Sequence, residues 1–174
     1  MPNPTTEPTP DTPTPDASVP TEARPPAPFV PDGFTPPRML TAGPLRLEPL
    51  GPQHNAADHT AWTTSIEHIR ATPGFAEGNW PPAQGMTPAD NLRDLERHAE
   101  DFARRTGFTF SVLDGPTEAD VVGCVYVYPS RTEPGTARVS SWVRADRAEL
   151  DGPLRRAVAD WLAADWPFQR VAYR

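Results

Sequence analysis

The 174-residue sequence predicts an α+β domain, a mixed but mostly antiparallel central sheet flanked by helices, behind a disordered proline-rich tail. Three observations carry that expectation. Of the 25 prolines, 14 fall within residues 1–44. Residues 87–107 and 151–165 place apolar side chains at helical spacing. Short apolar stretches around them are joined by "GPTEA" and "SRTEPG", connectors short enough for antiparallel hairpins.

Residues 1–44 are rich in proline and threonine and poor in apolar side chains, so they bury too little surface to offset the entropy of ordering them. The domain is therefore expected over 45–174. It opens with "LRLEPL" as a short strand. Gly51-Pro52 then starts a helical stretch, with Trp62, Ile66 and Ile69 at i, i+4 and i+7, and Pro73-Gly74 stops it. Residues 72–86 read as a loop holding Trp80, Pro81 and Pro82. In the helix over 87–107, Thr87 caps, Pro88 takes the first turn, and Leu92, Leu95, Ala99, Phe102 and Ala103 form the buried stripe up to Gly107. Strands are expected at 108–114, 120–129 and 136–145. A helix over 151–165 then buries Leu154, Ala157, Val158, Trp161 and Leu162, and "QRVAYR" is a last short strand.

A net charge of −7 argues against nucleic acid or an anionic membrane as partner. The longest apolar run, "VVGCVYVY", is too short to span a bilayer, and no leader-like segment opens the sequence, so a cytoplasmic location is the default. Cys124, the only cysteine, lies in that run and reads as a packed strand residue. His54, His59, His68 and His98 lack metal-ligand spacing, so no metal is expected and each reads as a surface or boundary histidine. Trp142, Trp161 and Trp166 read as core.

The order of elements, with "LRLEPLGPQH", "DVVGCVYVYP" and "ARVSSWVRAD", resembles the GNAT superfamily of acyl-CoA-dependent N-acetyltransferases over residues 45–174. It is most like the branch acting on protein N-termini and small amines. The resemblance implies that the backbone of Val143, Arg144 and Ala145 pairs with the pantetheine arm of coenzyme A. It also implies that the turn "RADRAELDGPLRRAV" is the pyrophosphate loop. The family's Q/R-x-x-G-x-G/A positions fall there on Ala148, Asp151 and Pro153, none of which matches. Arg147, Gly152, Leu154 and Arg155 are the remaining candidates for cofactor contact. Asp151 is expected to cap the helix and take the Leu154 N–H, and Pro153 has no N–H to give a phosphate.

Family members usually continue with a further helix and two strands, where the general-acid tyrosine lies if there is one. Tyr173 is on a different element. The resemblance thus implies a cleft short of one wall, either completed by a second subunit in a homodimer or open. Glu133 and Glu149 read as solvated charges, so no catalytic residue is assigned. Trp80 reads either as part of the acceptor pocket or as a plug over the sheet. Two functions follow from the resemblance: transfer of an acetyl group from acetyl-CoA to an amine of unknown identity, or a catalytically lost GNAT-like binding or interaction module.

Overall fold

The structure, a computed structural model, describes residues 28–115 and 120–174. Strands β1 (Leu40–Ala42) and β2 (Leu45–Pro49) are followed by a 3-10 turn at Pro52–His54, then helices α1 (Asn55–Thr63), α2 (Ile66–Ala71) and α3 (Pro88–Arg104). Strands β3 (Phe108–Asp114), β4 (Asp120–Pro129) and β5 (Thr136–Val143) come next. A 3-10 turn at Ala145–Leu150, helix α4 (Asp151–Asp165) and strand β6 (Arg170–Tyr173) follow. The six strands lie in sequence order in one sheet, antiparallel throughout except for the parallel pair β5–β6. That exception follows from α4, whose crossover returns the chain in the direction of β5.

Both faces of the sheet are covered, which is why the run at the centre of β4 is apolar without alternation. On one face Phe110, Val125 and Val139 pack with Leu154, Val158, Trp161 and Leu162 of α4. On the other, Cys124 and Trp142 lie beneath Trp62, Ile69 and Leu95 of α1, α2 and α3. Cys124 and the three tryptophans at 142, 161 and 166 are core residues, as their positions imply.

Four expectations are corrected. The segment assigned to the tail ends earlier, because residues 28–44 are part of the fold: Val30 is buried, Phe29 stacks on Phe108 and Phe168, and Leu40–Ala42 adds β1 to the sheet. Residues 1–27 lie outside the described residues. The first helical stretch is broken in two, since the hydroxyls of Thr63 and Thr64 bond back to the carbonyls of His59 and Thr60 and compete with the ladder there. α3 ends at Arg104, with Arg105 left-handed, and it buries Asn91 while leaving Ala103 exposed. β5 stops at Val143 instead of continuing to 145, because Ala145 begins the 3-10 turn.

Asn91 joins α3 to α1. Its side chain accepts from Trp62 Nε1 at 2.9 Å and donates to Asn55 Oδ1 at 2.9 Å and Asp58 Oδ2 at 3.0 Å. Burial raises the Asp58 carboxyl from 3.8 to about 6, against the opposing pull of the Asn91 hydrogen bond and of His54 and His59. Because the folded state holds this proton more tightly, the stability it contributes is fully present below about pH 4 and lost as pH rises through about 6. Replacing Asp58→Asn removes that loss. Urea unfolding should show the variant gaining on the parent chain between pH 4.5 and 7, by about 1–3 kcal/mol.

Candidate active site

β5 outruns its last neighbour. The β5–β6 register ends at Val139 opposite Tyr173, and the last bond across it is from Arg174 N–H to the Val139 carbonyl at 3.0 Å. Residues 140–143 of β5 remain paired to β4 on one side. On the other side their edge passes beyond β6, and Ser141 and Val143 are the residues whose backbone groups turn that way. Gly74 sits at the fork: a β-carbon there would lie 3.2 Å from Ser140 Cβ and 3.4 Å from Arg174 Cβ, at a backbone φ of +92°. On the α4 side of the fork, the Tyr173 hydroxyl is 2.7 Å from Ser141 Oγ, and burial holds the phenol protonated, with a pKa of about 12.

Beside the fork, on the helical face formed by α3, a cavity of about 410 Å³ lies among Gly74, Phe75, Trp80, His98, Tyr126 and Ser140. Trp80 both packs against Trp62, Tyr126 and Trp142, as a plug over the sheet would, and lines this cavity. His98 is the ionisable group best placed to act in it. Its Nδ1 is 2.7 Å from the Tyr128 hydroxyl, and that hydroxyl donates to Asp101 Oδ2 at 2.9 Å. With the phenolic proton given to Asp101, the 2.7 Å contact requires the imidazole hydrogen on Nδ1, where the Thr109 hydroxyl at 3.1 Å is a second neighbour. The Nε2 lone pair is then left for the cavity. Burial, then the neighbouring Arg97, lowers the His98 pKa, with Asp94 and Asp101 opposing. Gly107 makes room for this arrangement, since a β-carbon there would lie 2.1 Å from the Tyr128 ring.

The residues expected to meet a cofactor divide by environment. Val143 is buried as a whole residue, with its backbone groups turned to the edge that passes beyond β6. The Ala145 N–H donates to Ser65 Oγ at 2.9 Å. Arg144 is held by Asp120 and Asp146, and Arg147 by Asp114 at 2.6 Å and Glu149 at 3.0 Å. Each arginine thus faces two carboxylates. The loop's own N–H groups are also used: Arg147 donates to the Arg144 carbonyl and Asp151 to that of Ala148. Leu154 is buried, whereas Gly152 lies beside the Arg156 guanidinium and Arg155 reaches over the Tyr173 ring at 4.4 Å.

Asp151 is not the cap it was expected to be. It already has helical angles, Leu150 occupies the cap position, and no side chain caps α4. Instead Asp151 Oδ1 is buried without a hydrogen-bond partner. His54 and His59 are also accounted for structurally, the first between Glu48 and the Gly51 N–H, the second on the Met86 carbonyl.

No protein-family model matches the chain, and no curated protein matches it. Solved structures do. The ribosomal-protein-S5-alanine acetyltransferase of Vibrio fischeri superposes with a TM-score of 0.60 at 17% identity, over 79% of this chain and 73% of that one. RimL, a ribosomal L7/L12 alpha-N-protein acetyltransferase, gives 0.59 at 12% identity, over 81% and 76%. MccE, the microcin C7 self-immunity acetyltransferase solved with acetyl-CoA and AMP, gives 0.56 at 13% identity, over 78% and 71%.

The hydrogen-bond chain sets a tautomer that nitrogen-15 spectra can read. His98 should titrate below an ordinary histidine and carry its neutral-form proton on Nδ1. Tyr128→Phe should abolish that preference, and a proton found on Nε2 in the parent chain would contradict the assignment.

Proposed function

We propose, from the GNAT N-acetyltransferase fold that this chain has, that it transfers an acyl group from an acyl-CoA to an amine at the fork between β5 and β6. The observation that carries the reading is a convergence: the free backbone edge of β5 and the His98 cavity meet at Ser140 and Gly74. A thioester lying along that edge supplies an activated acyl group.

The residues fit such an arm unevenly. Ser141 and Val143 offer peptide groups, and the unpartnered Asp151 Oδ1 at the start of α4 accepts from an amide N–H. The paired Arg144 and Arg147 offer phosphates little. That task falls to Arg155 and Arg156, beside Gly152. In the chemical step His98 Nε2 takes the proton of the attacking amine, with Tyr128 and Asp101 fixing the ring. The free N–H groups of β5 polarise the carbonyl. The Tyr173–Ser141 hydroxyl pair supplies a proton at the opposite side of the fork.

The neutralised arginines also favour a second reading, a binding module that has given up catalysis. Calorimetry separates the two. Acetyl-CoA should bind, acetyl-pantetheine should bind within about tenfold of it because the phosphates contribute little, and His98→Ala should lower kcat by about a hundredfold or more. Absence of heat at millimolar acetyl-CoA would sink the enzyme.

A further inference from the structure

We infer that the acceptor is a small amine that also carries an anionic group, bound by Arg131 and Arg138 while its nitrogen meets His98. The inference rests on the acyl-transfer reading for the nitrogen's fate, but the charge pattern stands on its own. In the cavity Asp94 and Arg97 neutralise each other at 2.6 Å, and Asp101 accepts from Tyr128 and Thr106. Arg131 and Arg138 also line it, and among the described residues neither guanidinium makes a salt bridge or a hydrogen bond to protein. They extend into an adjoining hollow of about 250 Å³ with Arg174, where Glu133 is the one side-chain carboxylate. A chain of net charge −7 thus concentrates unpaired cations beside its candidate base.

Position separates these arginines from a cofactor's phosphates. Arg138 is five residues before Val143, so along β5 it is roughly 17 Å from the end that leads to α4. It is instead the cross-strand partner of Tyr128, whose hydroxyl touches His98. The anion site and the base are therefore one tyrosine apart. Phe75, Trp80 and Tyr126 form an aromatic wall for the body of the ligand, and the cavity's volume suits a small molecule. Guanidinium groups bind carboxylate and phosphate alike, so the shared chemistry is the anion.

The test uses the full chain and two readouts. Calorimetry compares L-phenylalanine with L-phenylalaninamide, and O-phosphoethanolamine with ethanolamine; thiol release from acetyl-CoA follows transfer to each. At least one anionic amine should bind about tenfold or more tighter than its uncharged counterpart, and whichever pair discriminates identifies carboxylate or phosphate as the preferred group. The exposed pair Arg131→Ala and Arg138→Ala should together erase the difference, while acetyl-CoA titrates as in the parent chain. Equal affinities within both pairs, or discrimination surviving in the double variant, would overturn the acceptor assignment even where thiol release proves acyl transfer. Discrimination without acetyl-CoA binding would support the anion site and overturn the transfer reading instead.

Discussion

A parallel strand pair gains hydrogen bonds with every residue it adds, and a free backbone edge next to a covered face is normally closed by a further strand or by a side chain. β5 is covered on both faces by helices, yet its last four residues extend past β6. The surrounding structure is organised around that unpaired edge. Gly74 packs tightly enough into the fork to keep it from closing over Ser140, and Ser65 takes the N–H of Ala145 at the far end. Between these two contacts the backbone groups of Ser141 and Val143 face the edge past β6 within residues that are themselves buried.

Arginines are used in two ways around this edge. Near α4, Arg144 and Arg147 are committed to four carboxylates and serve to anchor the turn to β3 and β4. At the other end, Arg131 and Arg138 have no such partners among the described residues. The sequence has no lysine, so residue type says nothing about which guanidinium groups are free. Only the placement of aspartate and glutamate distinguishes them, and that depends on strand pairing: Asp114 reaches Arg147 across 33 residues of sequence.

This explains what could be read from the sequence. β3, β4 and α4 are legible to the residue, because continuous apolar runs and a clean helical stripe with few competing polar contacts dictate them. The short connectors imply the β3–β4 and β4–β5 hairpins, whereas the parallel β5–β6 pair and the fork depend on contacts that no local pattern displays. The strap formed by Phe29, Val30 and Phe34 was hidden because its apolar residues are isolated between prolines and show no period; they bury individually against Phe108, Phe168 and Trp166. His98 was also hidden. Its only sequence signal is its place three residues after Leu95, on the buried side of α3, together with Tyr126 and Tyr128 alternating onto the face it packs against. The N-cap expected of Asp151 failed because the preceding residues form a 3-10 turn that delivers the chain already helical at that position.

The contacts of Gly74 and Ser65 have a geometric implication. They bound the stretch of β5 that runs past β6, from the Ser140 contact to the Ala145 N–H, five residues or roughly 17 Å of extended backbone. A stretch bounded at both ends acts as a ruler. Under the proposed acyl transfer, an arm of matching length in register with β5 would present its reactive end at the fork, beside the His98 cavity. A longer or shorter arm would make the same hydrogen bonds and miss that cavity, so donors would be selected by length before chemistry begins.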